Sequence, residues 1–127
     1  MGTWSVEPWG SDEAADWFHR FWKKGGISVL IDTIENFDEK EEKYDEIRAP
    51  AYLLEVLGIS YVWPVDYLGA LNGLLDKAID ILEKMINPPN DNWVYLDMGG
   101  DVGELVRAVE LQLAELRKRR PSIVGPT

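Results

Sequence analysis

The chain's single histidine is the first residue whose type and position could support chemistry. His19 follows Asp16 by three residues, and a carboxylate and a histidine at this spacing form half of the di-metal site found in some helix bundles. The other half needs a second histidine, which the sequence lacks. A serine–histidine–aspartate triad could also use His19, but no serine lies in a Gly-x-Ser-x-Gly turn. We therefore predict a surface histidine, no catalytic residues and no metal site.

Two loops resemble ligand-binding loops in composition and differ from them in spacing. Residues 99–103 (Gly-Gly-Asp-Val-Gly) precede a predicted helix. They lack the lysine of a phosphate-binding loop, and Asp101 would repel a phosphate from the helix N-terminus. Residues 90–92 and Asp97 offer oxygen atoms, but without the spacing of a calcium-binding loop or its closing glutamate. We therefore predict no cofactor, and residues 99–103 indicate a turn that leads into a helix.

The densest cluster of charge is an acidic segment between residues 32 and 46, where Lys40 and Lys43 are the counter-charges. Such a run is either a solvated surface or a docking surface for a basic protein, and both interpretations stay open. If the protein works by binding, we predict that its partner docks on the eight acidic residues of this segment, which are Asp32, Glu35, Asp38, Glu39, Glu41, Glu42, Asp45 and Glu46.

The overall composition excludes several classes of function. The 127 residues include 13 basic and 23 acidic side chains, so the net charge is −10, and phosphate backbones and anionic lipids would repel the protein. No cysteine is present, which excludes disulfides and thiol chemistry. The sequence contains no apolar run long enough to span a membrane and no pattern of a signal peptide. We expect a cytoplasmic protein that binds neither nucleic acid nor membrane.

The spacing of apolar residues predicts an all-α domain of about five helices over residues 1–120, with a frayed tail at 121–127. Ser11 is a suitable N-cap for the first helix, whose apolar face includes Trp17 and Trp22. The second helix begins near Ile27. No partner strand is evident for its short apolar run, so we predict no sheet.

Proline and glycine mark the boundaries of the later elements. Pro50 within the third helix predicts a kink or a restart. Pro64 suits the first turn of the longest helix, whose apolar residues from Leu68 to Ile86 face inward and whose outer side carries an ion pair between Asp80 and Lys84. Trp93–Leu96 indicates an extended segment that packs over the helices. Asp101 resembles the first residue of a capping box. It starts a last helix whose inward face begins at Val102 and which Pro121 should end.

An irregular strip rich in tryptophan and proline opens the chain, and we predict that it packs on the helices. Its recognisable residues are Gly2, Trp4, Pro8, Asp12, Ala14 or Ala15, Asp16 and Trp17. This opening resembles a small bacterial family, catalogued as a domain of unknown function, with the pattern Met-Gly-x-Trp-Gly-x-Gly-Pro-Phe-x-Asn-Asp-x-Ala-x-Asp-Trp. Ser5 and Glu7 replace two of its glycines, and Trp9 replaces its phenylalanine. The resemblance implies a related fold and no particular activity.

Two classes of function remain open. One is a small acidic protein-binding module, such as an immunity or inhibitor protein that neutralises a basic toxin or effector. The other is a carboxylate-based enzyme or an accessory subunit of one, which would need two inward carboxylates with separated pKa values. Every periodic aspartate and glutamate is predicted to face outward, so we favour the binding module. Trp4 and Trp9 should be substantially buried, whereas Trp63 and Trp93 could either cover the core or contact a partner.

Overall fold

The structure is a computed structural model that describes residues 5–123, with side chains to residue 120. This part of the chain forms five α-helices and three short 3-10 turns. The helices are α1 (Asp12–Lys23), α2 (Ile27–Glu35), α3 (Tyr44–Leu57), α4 (Leu68–Ile86) and α5 (Val102–Ile123), and the 3-10 turns are Glu39–Glu41, Val65–Tyr67 and Tyr95–Asp97. The prediction of an all-α bundle of about five helices is confirmed, and no β-strand occurs within residues 5–123.

Helix α1 begins as its sequence predicts, because the Ser11 side chain accepts a hydrogen bond of 3.0 Å from the Ala14 backbone N–H. Trp17 is fully buried, and its indole N–H donates to the Thr33 hydroxyl of α2 at 2.7 Å. The prediction that Trp22 belongs to the core is wrong, since its side chain is 78% exposed. It lies five residues after Trp17, which turns it well away from the buried stripe of a helix.

Helix α3 is continuous through Pro50, so the helix does not restart there. Pro50 is itself buried. Gly58 ends the helix, and its N–H donates to the Leu54 carbonyl at 2.9 Å. A Cβ on Gly58 would lie 2.4 Å from that carbonyl oxygen. The turn therefore requires glycine.

Helix α4 starts later than predicted. Pro64 precedes the 3-10 turn Val65–Tyr67 rather than occupying the first turn of α4, and α5, with 22 residues, is longer than α4, with 19. The predicted ion pair between Asp80 and Lys84 is present at 3.0 Å. The predicted inward face from Leu68 to Ile86 is buried or partly buried from Leu71 onward, but Leu68 itself is 37% exposed.

Helix α5 is capped by Asp101, whose carboxylate accepts a hydrogen bond of 3.2 Å from the Glu104 backbone N–H. Two expectations for this helix are wrong. Val102, predicted to face inward, is 46% exposed, and the helix continues through Pro121 to Ile123. A proline in the last turn interrupts one hydrogen bond near an end where the remaining carbonyls are already unpaired.

The segments outside the helices also pack on the bundle. Trp93–Leu96 was predicted to be extended, but it enters a 3-10 turn, with Trp93 and Tyr95 buried. The opening strip closes through a hydrogen bond of 3.1 Å from Ser5 N–H to the Gly10 carbonyl. Trp9 packs edge-on against Tyr52 at 5.1 Å yet stays 47% exposed, so it is less buried than predicted. Trp4 lies outside the described residues.

The helices pack in a definite order. Helix α5 lies against α4 and α3, α1 packs on α3, and α2 fills the space beside α3 and α4. No helix among the described residues is both long enough and apolar enough to cross a membrane.

Candidate functional site

The predicted acidic segment is divided among several elements, and its side chains have different surroundings. Its residues belong to the end of α2, the 3-10 turn Glu39–Glu41 and the first turn of α3. The Glu46 carboxylate is paired with Arg20 of α1 at 3.1 Å, and the Asp38 side chain accepts a hydrogen bond of 2.9 Å from the Lys40 N–H. Glu42 and Asp45, in contrast, face a cleft that other parts of the chain complete.

This acidic cleft has a volume of about 720 Å³ and lies where four stretches of chain meet. They are the opening strip, the first turn of α1, the start of α3, and the segment from Tyr95 into α5. Among the described residues, six carboxylates line the cleft, and no lysine, arginine or histidine lines it. The full lining is Ser5, Val6, Glu7, Glu13, Glu42, Tyr44, Asp45, Tyr95, Met98, Gly99, Gly100, Asp101, Glu104 and Leu105.

Three helix N-termini meet at the cleft, which explains part of its charge. Glu13, Asp45 and Glu104 stand in the first turns of α1, α3 and α5. A carboxylate in a first turn interacts favourably with the positive end of the helix dipole. These carboxylates therefore stabilise the three helices, and they also make this end of the bundle and its cleft negatively charged.

Aromatic rings form the floor of the cleft. Tyr44 and Tyr95 are buried, with ring centroids 5.5 Å apart. The Tyr44 hydroxyl lies 2.9 Å from the Glu39 carbonyl and accepts the Val94 N–H at 3.1 Å. This side chain thus fixes the acidic segment to the chain that leads into α5. Burial is the main cause of the raised pKa of both tyrosines, so both stay neutral at physiological pH.

The pKa values of two carboxylates at the cleft shift in opposite directions. The pKa of Glu13 is raised, first by burial and then by repulsion from Asp45. The pKa of Glu7 is lowered, chiefly by a hydrogen bond from the Ser5 side chain. Repulsion from Asp45 is the second cause of the Glu13 shift, after burial, and a cation in the cleft would relieve that repulsion.

Behind the floor lies a buried polar network that the sequence analysis missed. Arg48 is 3% exposed, Gln112 2% and Glu55 9%. The Arg48 Nε donates to the Gln112 side-chain oxygen at 2.7 Å, and the Gln112 amide donates to Glu55 at 2.8 Å. Arg48 Nη1 lies 3.5 Å from the Tyr95 hydroxyl. This network connects the cleft floor with the far half of α3.

The prediction that every periodic aspartate and glutamate faces outward is wrong, because Glu55 is buried. Burial raises its pKa to about 7, although the Gln112 hydrogen bond and the nearby charge of Arg48 oppose the shift. One signal was present in the sequence. Glu55 follows Arg48 by seven residues, and Gln112 falls within the apolar stripe of α5, so a search for polar residues at inward positions would have found the network.

The other candidate residues lie apart from the cleft or act as structural groups. His19 and Asp16 are exposed on α1. Gly99 and Gly100 adopt positive φ angles of 107° and 88°, which is the conformation that favours glycine in a turn. Among the described residues, no group of three or more histidine, aspartate or glutamate side chains could hold a metal ion.

Comparison of the chain with protein-family models, with curated proteins and with solved structures finds no match.

Proposed function

We propose that the protein is a small acidic binding module and that its acidic cleft receives a basic segment of a partner protein. The observation that carries this proposal is the lining of the cleft, where six carboxylates surround an apolar and aromatic floor without a basic side chain among them. A lysine or arginine side chain combines an aliphatic stem with a cationic head. The stem would pack on Met98, which lines the cleft and is 52% exposed, and the head would reach the carboxylates at the rim.

The remainder of the acidic segment contributes mainly to the approach of the partner. Exposed carboxylates such as Asp32, Glu35 and Glu41 add to the long-range field that accelerates encounter, while close contacts at the cleft supply most of the affinity. Glu46 has a different task, because its pairing with Arg20 holds α1 against α3. Glu42 and Asp45 belong both to the segment and to the cleft.

We propose a cytoplasmic immunity or inhibitor protein as the biological form of this module, with a basic toxin or effector as its partner. A net charge of −10 supports this proposal, because such a charge attracts a basic surface and repels nucleic acids and anionic membranes. A small acidic protein that covers a basic active surface needs no catalytic group of its own.

Charge reversal at the cleft tests the proposal with a defined probe, a short peptide rich in lysine and arginine. We expect Glu7→Lys combined with Glu42→Lys to weaken binding of the peptide at low salt by about tenfold or more, since two close attractions become repulsions. The matched control is Asp16→Lys with Glu110→Lys. It makes the same change in net charge at exposed positions outside the cleft lining.

Calorimetric titration of both variants measures the effect, and circular dichroism verifies the helical fold. Equal weakening in the two double variants would show that net charge alone attracts the peptide, and the cleft would then lose its role. Peptide binding that does not change with salt would contradict the electrostatic part of the proposal.

A carboxylate-based enzyme is the second candidate, and the opposed pKa shifts of Glu7 and Glu13 at one cleft favour it. Pairs of this kind can divide the roles of acid and base. The two functions differ in their pH dependence. Binding of a basic peptide should strengthen as carboxylates ionise and then level off, whereas a two-carboxylate reaction gives a bell-shaped profile.

A further inference from the structure

A second surface of the molecule, where the chain enters α4, is apolar and exposed. We call it the apolar face, and it consists of Tyr61, Val62, Val65, Tyr67 and Leu68. Tyr61 is 96% exposed and Val65 80%. Asp66 is the single charged residue between positions 58 and 73, in a chain whose residues are 28% charged overall. Clustered apolar exposure of this kind is typical of a surface that another chain segment or molecule covers.

The chain beneath the apolar face holds it in place. The Trp63 side chain is buried, and its indole N–H donates to the Tyr67 carbonyl at 3.0 Å. The backbone N–H groups of Val62 and Trp63 both donate to the Ile59 carbonyl, at 2.8 and 2.9 Å. The exposed side chains therefore project from an ordered turn, which lowers the entropy lost when a segment packs on them.

Helix α4 continues the apolar face with two glycines four residues apart. A Cβ added at Gly69 or at Gly73 would meet no described atom within 4 Å, so the described part of the chain does not require glycine at either position. Glycine inside a helix is less stable than alanine. Without side chains at these two positions, the outer side of α4 has room for a chain segment that lies close to the helix backbone.

The end of helix α5 is directed toward the same side of α4. Arg117 pairs with Glu83 of α4, and Arg120, nearly one turn further along α5, reaches Asp76 and Asn72. The two helices are therefore antiparallel, and α5 advances toward the start of α4. Gly69 and Gly73 precede Asn72 and Asp76 by three residues each, which places them on the same side of the helix.

The chain that follows Arg120 is long enough to cross the apolar face. Leu68, the part of the face that belongs to α4, lies about 6 Å along the helix axis from Asn72. The backbone of α5 continues to Ile123, which is an advance of about 4.5 Å beyond Arg120. Residues 124–127 can span about 13 Å more when extended. The segment 121–127 therefore reaches Leu68 and the rest of the face.

We propose that residues 121–127 lie across the apolar face and cover it. Four basic residues precede this segment, but the segment itself carries no charged side chain and includes Ile123 and Val124. A second copy of net charge −10 would be repelled, and a basic partner gains little from a face with one carboxylate. Because the segment belongs to the same chain, its effective concentration at the face is high, and a few apolar contacts suffice. The proposal is independent of the one made for the acidic cleft.

A spin label on residue 127 of the full chain tests the proposal. The sequence has no cysteine, so Thr127→Cys gives a single site for the label. We expect the label to remove most of the intensity of the Gly69 and Gly73 amide signals in the NMR spectrum. The Gly99 and Gly100 signals should keep their intensity, because these residues lie before the first turn of α5, at its opposite end.

Variants of the labelled chain separate packing on the face from mere attachment to α5. Ile123→Asn with Val124→Asn should restore most of the lost intensity, because it removes the apolar side chains of the segment. Val65→Asn should do the same from the side of the face. The matched control is Leu111→Asn on α5, which changes an exposed apolar residue outside the face and should restore nothing. Circular dichroism verifies that each variant keeps its helices.

Three results would overturn the proposal. The first is full intensity at Gly69 and Gly73 in the labelled chain, and the second is an equal loss of intensity in all the variants. The third is a loss of intensity in unlabelled, isotope-enriched chain that is mixed with labelled chain, which would place a second copy on the face. Binding of the full chain to phosphatidylcholine vesicles through Val65 would likewise overturn it, in favour of a membrane surface.

Discussion

The two ends of helix α3 differ in the surfaces that they present. Its N-terminus reaches the acidic cleft through Tyr44 and Asp45. Its C-terminus leads at Gly58 into an exposed apolar face, which consists of Tyr61, Val62, Val65, Tyr67 and Leu68. The 14 residues of α3 separate the two ends by about 21 Å. Charge therefore dominates one end of the molecule and apolar contact the other.

The capping of the helices explains much of this difference. Helices α1, α3 and α5 place acidic residues in their first turns at the cleft. Helix α4 starts at the opposite end with no acidic residue in its first turn and no side-chain cap. The direction of the helices therefore determines where charge lies in this small bundle, because a helix N-terminus favours carboxylates.

The largest expected difference in stability is between the substitution of Trp63 and the substitution of Trp9. Trp63, beneath the apolar face, is 3% exposed, whereas Trp9, near the cleft, is 47% exposed. We expect Trp63→Ala to lower the free energy of unfolding by about 3–5 kcal/mol and Trp9→Ala by about 1 kcal/mol. Urea denaturation measures both. Equal losses would show that the opening strip supports the bundle as much as the α3–α4 turn does.

The network between the two ends should make stability depend on pH. The pKa of Glu55 is about 7 in the folded protein, against an ordinary value of 4.5, so folding favours the protonated form. The free energy of unfolding should therefore be highest below about pH 4.5 and should fall by about 3 kcal/mol as pH rises through about 7. Denaturation at several pH values measures this loss.

Glu55→Gln is the matched control for that experiment. Glutamine has nearly the same shape, does not titrate, and keeps an oxygen that can accept the Gln112 amide hydrogen bond. The difference between the wild type and this variant should therefore vary with pH in the stated direction. If the two profiles stay parallel, folding does not raise the pKa of Glu55, and this prediction is wrong.

The smallest expected effect lies at the rim of the cleft. Glu13→Gln removes a carboxylate that Asp45 and Glu46 repel, and it should raise the free energy of unfolding by about 0.5 kcal/mol or less at low salt. The gain should shrink as salt screens the charges. A loss of stability instead would mean that the dipole of α1 outweighs the repulsion.

Much of the fold was predictable from the sequence, because local signals define most of the helices. Ser11 and Asp101 cap helices as their types and positions indicate. The errors arise where tertiary packing decides. Trp22 and Val102 are apolar residues beside a buried stripe, and the neighbouring helices leave both of them in solvent.

The site was predictable only in part. The sequence analysis identified Glu42 and Asp45 within the acidic segment, but the other four carboxylates of the cleft come from positions as distant as Glu7 and Glu104. Nothing local in the sequence indicates that these segments meet. The burial of Glu55 depends in the same way on α5 packing across α3, which no pattern within α3 reveals.

Amide chemical shifts recorded while the lysine- and arginine-rich peptide is added test the central claim most directly, because two pairs of glycines report on the two ends. Gly99 and Gly100 line the cleft, and Gly69 and Gly73 lie beside the apolar face. We predict saturable shifts at Gly99 and Gly100 that weaken as salt rises, with Gly69 and Gly73 unchanged. Shifts confined to Gly69 and Gly73, or none at Gly99 and Gly100, would contradict the claim that the acidic cleft receives a basic segment.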